Sequence, residues 1–248
     1  MQPEELSELA PAEAPAKEPF WDYFDLLLMM GLLCASLLIV VLCASGWVHF
    51  HPSAKNDVTT LALPTQFLAY LLVYVSFWVV FRLKYDRGVF DSLGWRKTNY
   101  SLVAAGVGGI VLAIGISIIA QLIHTPQVDT AFDELIKTPL SMALLAITAV
   151  FFAPLFEEMM FRGFLQPLLS RTLGVAAGIA LTAILFGGLH ASEYQGAWQY
   201  VAAITLVGIA LGIVRAKTKS IIPGTVMHGC FNAVSVVGLI ATKYFIHK

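Results

Sequence analysis

The chain has 248 residues, of which 58% are hydrophobic and only 12% are charged, and its mean hydropathy is +0.78. Soluble domains usually carry about 25% charged residues, so this composition excludes a soluble globular protein and indicates an integral membrane protein. The formal net charge of −1 gives no reason to expect nucleic acid as a partner, and membrane lipid is expected instead. All three cysteines lie in apolar runs, so neither disulfides nor a thiolate metal cluster is predicted.

Residues 1–19 form a polar segment rich in Pro, Ala and Glu, which cannot bury enough apolar surface to fold by itself. We therefore predict a disordered N-terminal tail over these residues. The segment lacks the basic start and the small-residue cleavage site of a signal peptide. The apolar run that follows is accordingly interpreted as a retained membrane anchor.

Apolar runs recur along the rest of the chain, and each approaches or exceeds the roughly 17–25 residues that a spanning helix requires. The runs are Tyr23–Trp47, Gln66–Phe81, Ser101–Ile123, Pro139–Leu169, Leu173–Leu189, Trp198–Val214 and Ile221–Tyr244. An open sheet cannot satisfy its backbone in lipid, and the sequence has no alternating segments of the kind a membrane barrel needs. The predicted fold class is all-α, a polytopic transmembrane bundle of about seven helices, with eight as the alternative.

Basic residues crowd the connections after the second, fourth and sixth runs, and these are alternate loops, as the positive-inside rule requires. They are Arg82, Lys84, Arg87, Arg96, Lys97, Arg171, Arg215, Lys217 and Lys219. We predict that these loops and the N-terminus face the cytoplasm, with the protein in the plasma membrane. Seven spans would place the C-terminal tail, 241–248, outside, although its weakly basic ending favours the opposite side.

Two adjacent carboxylates and an arginine interrupt the fourth run: Glu157, Glu158 and Arg162. A charge near the centre of a bilayer costs at least about 2.5–3.5 kcal/mol, so these groups must be paired, hydrated or functional. Glu158 and Arg162 share a helix face by their i, i+4 spacing, whereas Glu157 is turned by about 100° from Glu158. One carboxylate is thus neutralised locally and the other is available for chemistry. The structural alternative is that both glutamates only satisfy Arg162 and a neighbouring helix.

Polar residues recur at helical spacing in two later runs. Phe186 and His190 share one face at the end of the fifth run, and His228 and Asn232 share one face at the start of the last. At about 1.5 Å per residue from the cytoplasmic ends, Glu158 lies ~20 Å deep, His190 ~25 Å and His228 ~14 Å. These depths agree within a tilt and a kink, provided that the fourth helix is unbroken, so we predict one long helix there.

These three ordered motifs resemble those of the CPBP family, also called ABI. That family comprises type II CAAX prenyl proteases and bacteriocin-processing or immunity-type membrane proteins. The motifs are Glu157-Glu158-x-x-x-Arg162, Phe186-x-x-x-His190 and His228-x-x-x-Asn232. The resemblance covers residues 139–240, which become the predicted catalytic core, while residues 20–138 supply N-terminal transmembrane helices. It implies an intramembrane endopeptidase that hydrolyses a peptide bond in a membrane-associated protein or peptide.

The resemblance also implies the role of each site residue. Glu157 is the general base that activates a water, and His190 helps to hold and polarise that water. His228 and Asn232 are donors to the developing oxyanion, a task worth about 3–4 kcal/mol for each donor. The supporting residues are Glu158, Arg162 and Phe186, of which the first two form an ion pair.

No cofactor is firmly implied, and we predict a metal-free site. The alternative is a divalent metal such as zinc held by Glu157, His190 and His228, because the family is often labelled metalloprotease. The zinc-protease signature His-Glu-x-x-His is absent from the sequence. Cys230 is not expected to be a nucleophile, because its direction on the helix differs from those of its motif neighbours by about 160–200°.

Two other classes of function compete with proteolysis. One is a catalytically silent scaffold or immunity protein of the same fold, since a fold does not guarantee an activity. The other is a proton-coupled transporter, which is less favoured because the sequence shows no internal repeat. Nothing in the sequence selects among a prenylated C-terminal CaaX peptide, a bacteriocin leader peptide and a host membrane protein as the substrate.

Overall fold

The computed structural model describes residues 18–56, 61–126, 128 and 138–242. Most of the predicted disordered tail and most of the C-terminal tail therefore lie outside the described residues. Eight helices occur within these ranges: α1 Tyr23–Phe50, α2 Leu63–Leu83, α3 Val89–Ser92, α4 Leu102–Leu122, α5 Pro139–Leu173, α6 Val175–Leu189, α7 Trp198–Thr218 and α8 Ile222–Ala241. The same ranges contain no strand, and the predicted all-α bundle is confirmed.

Six of the described helices are long and apolar enough to cross a membrane: α1, α2, α4, α5, α7 and α8. Large apolar side chains lie exposed along them, for example Leu27, Leu42 and Leu122, as expected of surfaces that face lipid. The chain is therefore an integral, multi-pass membrane protein.

The fifth apolar run is helical but shorter than the others. Helix α6 has 15 residues, or about 22 Å, against a hydrocarbon core of about 30 Å. It starts after Gly174, whose φ of 87° ends α5 and reverses the chain direction, and it ends at His190. Because α5 and α6 pack side by side, the far end of α6 returns to the depth of the glutamates on α5.

Local sequence explains where the spanning helices begin. Asp22 caps α1 and forms a capping box with Asp25, and Ser101 caps α4 by accepting from the backbone N–H of Ala104. Helix α5 begins with Thr138 as its cap and with proline in its first turn, where a missing N–H is harmless.

Helix α5 confirms the predicted long helix, since it runs unbroken for 35 residues. It is not uniform, because two π-helical segments interrupt it at Thr148–Phe152 and Met159–Leu165. A proline follows each segment within two residues, at 154 and 167. Proline lacks the N–H of a regular helix, and π turns occur frequently at functional sites. The two glutamates lie on the short α-helical stretch between the two π segments.

Helix α8 packs closely between α4 and α5. A Cβ at Gly109 would overlap the carbonyl oxygen of Met227, and a Cβ at Gly106 would lie 3.2 Å from the sulfur of Cys230. These small residues allow the two helices to approach closely. Cys230 faces α4 and so points away from the face of His228, as predicted.

The N-terminal helices are joined to α5 by an aromatic cluster, and α1 is joined to the end of α2 by an ion pair whose carboxylate is buried. Trp21 stacks on Phe164 of α5 with ring centroids 5.6 Å apart. Nearby, Asp25 is fully buried and accepts from Lys84 at 2.5 Å and from the Tyr85 hydroxyl at 2.6 Å. Residues before 139 therefore contribute directly to the packing around the motif-bearing helix.

Candidate active site

Glu158 and Arg162 form an ion pair inside the bundle. Both side chains are 0% exposed, and Arg162 Nη1 lies 3.0 Å from Glu158 Oε1. Arg162 also donates through Nη2 to the carbonyl of Gly208 on α7 at 3.1 Å, and its guanidinium lies 4.5 Å from the ring centre of Phe186. The pairing predicted from the i, i+4 spacing is confirmed.

His228 lies between the two carboxylates. Its Nδ1 is 3.3 Å from Glu158 Oε1, and its Nε2 is 3.6 Å from Glu157 Oε2. The His228 ring is buried, whereas the Glu157 side chain keeps 27% of its surface accessible. The adjacent glutamates therefore have unequal surroundings: Glu158 is held by an arginine and a histidine, and Glu157 is the accessible carboxylate.

Two glycines of α8 allow this close arrangement. A Cβ at Gly224 would lie 2.9 Å from Glu158 Oε2, and a Cβ at Gly229 would lie 2.6 Å from the carbonyl oxygen of Val150. A side chain at 229 would push α8 away from α5, because the Val150 carbonyl is backbone, and a side chain at 224 would displace the Glu158 carboxylate that His228 contacts.

His190 reaches the site from the end of α6. Its Nδ1 lies 2.7 Å from the carbonyl oxygen of Phe186. A carbonyl can only accept, so Nδ1 carries the proton, and in the neutral ring Nε2 keeps the lone pair. The Phe186 ring is buried and contacts both histidines, with centroids 4.8 Å from His190 and 5.8 Å from His228. Phe186 is thus the shared contact of the three motif helices.

Asn232 lies one turn beyond His228 on α8. Its amide Nδ2 donates at 2.8 Å to the carbonyl oxygen of Ala149, which belongs to the first π segment of α5. The structure therefore brings Glu157, Glu158 and His228 into direct contact. It links His190 to them through Phe186, and it sets Asn232 against the backbone of α5.

Sequence reasoning missed the residues by which α7 holds α5. Gln166 Nε2 donates to the carbonyl of Gly212 at 2.9 Å, one turn beyond the bond from Arg162 to Gly208. Arg215 Nε donates to the backbone carbonyl of Arg162 at 2.9 Å. The Gly-x-x-x-Gly spacing of 208 and 212 is a signal for close helix approach that was available in the sequence. No such signal marks Arg215, because in the sequence it cannot be distinguished from the other basic residues that follow the sixth apolar run.

A third carboxylate near the site was also missed. Glu193 lies in the connection between α6 and α7, three residues after His190. Burial raises the pKa of Glu193, and the negative charge of Glu157 raises that pKa further. The charge of His190 and a hydrogen bond with Tyr194 act in the opposite direction. Glu193 thus lies within electrostatic reach of two predicted catalytic residues.

The alternative zinc site does not fit the arrangement of its three residues. Within the part of the chain that the structure describes, no group of three or more His, Cys, Asp or Glu side chains is placed to hold a metal ion. The two ring nitrogens of His228 are directed at two different carboxylates, one of which, on Glu158, is paired with Arg162.

Comparison with known proteins gives a match over the motif-bearing part of the chain. A family model described as "Type II CAAX prenyl endopeptidase Rce1-like" matches residues 139–234. Comparisons with curated proteins and with solved structures gave no significant match. The matched segment starts at the first residue of α5, ends two residues after Asn232, and includes all the motif residues. The resemblance inferred from the three motifs is confirmed, since residues 139–234 match the model of the Rce1-like type II CAAX prenyl endopeptidases.

Proposed function

We propose that the chain is an intramembrane endopeptidase in which Glu157 activates a water for attack on a peptide bond. The observation that carries this proposal is the unequal environment of the two adjacent glutamates. Glu158 is completely buried and neutralised by Arg162, whereas Glu157 is partly accessible and faces His228 Nε2. A carboxylate with access to water and with no cation of its own is the group suited to take a proton.

In the proposed reaction, a water bound at Glu157 transfers a proton to that carboxylate while its oxygen attacks the carbonyl carbon of the substrate. The resulting oxyanion accepts one hydrogen bond from the Nε2–H of His228, which Glu157 releases once it is protonated, and another from the second amide hydrogen of Asn232. The carbon–nitrogen bond then breaks, and Glu157 returns the proton to the leaving amine. The products are a new carboxyl terminus and a free amine, and Glu157 is restored as a carboxylate.

His190 orients the attacking water in this scheme. Its Nδ1–H is already committed to the Phe186 carbonyl, so the neutral ring offers Nε2 as an acceptor. A water that donates one hydrogen to Nε2 and the other to Glu157 is fixed in direction before it reacts. In this scheme His190 positions the water, and Glu157 takes its proton.

The proposed substrate is a peptide or protein segment held at the membrane, in the manner of CAAX processing. The name of the matched family supports a C-terminal CaaX peptide, and a prenylated one is the first candidate. A bacteriocin leader peptide and a membrane protein of the host are the two other candidates.

Cleavage of a quenched fluorescent peptide library by the purified protein in detergent tests this proposal. The library includes CaaX peptides with and without a prenyl group, and wild type is compared with Glu157→Ala in the presence and absence of a chelator. We expect cleavage by wild type, loss of cleavage in Glu157→Ala with the fold intact, and no effect of the chelator. Loss with the chelator would assign the reaction to a metal instead. Equal inactivity of two folded proteins on every peptide would favour the silent scaffold of the same fold.

A further inference from the structure

The π segment after the glutamates leaves one backbone carbonyl without a helical donor. Met159–Leu165 is π-helical, and the N–H of Gln166 donates to Phe161 O, five residues earlier. In the same π register, the N–H of residue 167 would donate to the carbonyl of Arg162. Pro167, however, has no N–H. A buried carbonyl without a partner is costly, so Arg162 O needs a donor from outside α5.

Arg215 provides that donor. Its Nε donates to Arg162 O at 2.9 Å from the last turn of α7. The side chain of the same Arg162 donates to Gly208 O, also on α7. Helix α7 therefore holds Arg162 at its backbone and at its guanidinium, and Arg162 in turn neutralises Glu158.

A second side chain holds the same π segment from another element. The indole N–H of Trp21 donates to Phe164 O at 3.1 Å, and the Trp21 side chain is only 3% exposed. Trp21 lies before α1 and outside the matched domain, 143 positions away from Phe164 in sequence. The carbonyls of the π segment are thus bonded from both α7 and the N-terminal part of the chain.

We propose that Arg215 and Trp21 are positioning residues that fix the π register of α5 and thereby the orientation of Glu157 and Glu158. The inference rests on the proposed function for its catalytic consequence. If the segment relaxed to a regular α-helix, the residues before it would rotate by about 100° relative to those after it. The face that carries the glutamates would then turn relative to the face that α7 holds. A displacement of about 1 Å in a catalytic group can lower the rate about 100-fold.

The test compares matched variants of the full-length protein in detergent. Arg215→Gln removes the guanidinium donor, and Lys217→Gln removes the same charge from an exposed position in the same helical turn. Trp21→Phe removes the indole N–H and part of the ring system while keeping an aromatic side chain, and Trp198→Phe is its exposed counterpart. Arg215→Lys keeps the charge and a donor, and it tests for rescue.

The measurements are kcat and KM on the best-cleaved peptide, the thermal midpoint, and the ring ¹⁵N shifts of His228 by NMR. We expect Arg215→Gln and Trp21→Phe to lower kcat about 10- to 100-fold with KM nearly constant. We also expect them to move the His228 signals, while both controls resemble wild type and Arg215→Lys recovers part of kcat. Unchanged kcat with unchanged His228 signals would overturn the proposal, as would a loss that only follows the folded fraction. If the wild type cleaves no peptide, the proposed function fails, and the His228 signals alone then decide whether the two residues position the site.

Discussion

At the scale of single residues, the ion pair of Glu158 and Arg162 must hold its geometry without solvent. Both side chains are completely buried, so neither charge can be screened by water if its partner is removed. Removing one partner of such a pair typically costs about 3–5 kcal/mol, because the other charge stays buried without compensation.

Glu158→Gln is therefore expected to lower the free energy of unfolding by about 3–5 kcal/mol, measured by chemical unfolding in detergent. The double variant Glu158→Gln, Arg162→Met removes both charges and is expected to recover part of that loss. An unfolding free energy of Glu158→Gln equal to that of wild type would show that Arg162 has another sufficient partner.

Glu193 predicts a pH dependence of stability. Burial raises its pKa in the folded protein, so the folded state binds this proton more tightly than the unfolded chain does. The stability that this group contributes is fully present below its unfolded pKa and is lost as the pH rises through its folded pKa. Glu193→Gln cannot ionise and so avoids that loss.

The thermal midpoint of Glu193→Gln should therefore equal that of wild type near about pH 4 and exceed it near about pH 8. The neighbours that set the effect, Glu157, His190 and Tyr194, are unchanged in this variant. A difference that is constant across this range, or that has the opposite sign, would contradict the assigned pKa direction.

At the scale of helices, the close contact of α4 with α8 sets the position of the histidine-bearing helix. Gly109→Ala places a methyl group on the Met227 carbonyl, which is backbone and cannot move aside cheaply. Gly115→Ala on the same helix meets open space, so it serves as the matched control. We expect Gly109→Ala to lower the thermal midpoint by several degrees and Gly115→Ala to leave it nearly unchanged. Equal midpoints for the two variants would show that α8 is not held by this contact.

Regular helical spacing made much of this arrangement predictable. The pairing of Glu158 with Arg162, the long α5 and the direction of Cys230 away from His228 all follow from 3.6 residues per turn. The π segments break that periodicity, and single-sequence patterns do not show them, although Pro154 and Pro167 follow each one closely. Arg215 was missed because its partner is a backbone carbonyl, which has no signature in the sequence of either helix.

At the scale of the whole molecule, the predicted orientation remains to be tested. In a background without the three cysteines, Lys217→Cys lies on the predicted cytoplasmic side, and His51→Cys lies on the predicted outer side. An impermeant maleimide applied to intact cells should label residue 51, whereas residue 217 should react only after permeabilisation. The reverse pattern would invert the protein in the membrane and place the basic loops outside.

The proposed reaction depends most directly on Glu157 as the proton acceptor. The decisive measurement is kcat/KM for wild type, Glu157→Gln and the surface control Asp86→Asn, on the peptide that wild type cleaves best. Glutamine keeps the size of the side chain but cannot take a proton, so we predict a fall of about 100- to 10,000-fold in Glu157→Gln, with Asp86→Asn unchanged. A folded Glu157→Gln that stays within about twofold of wild type would contradict the central claim.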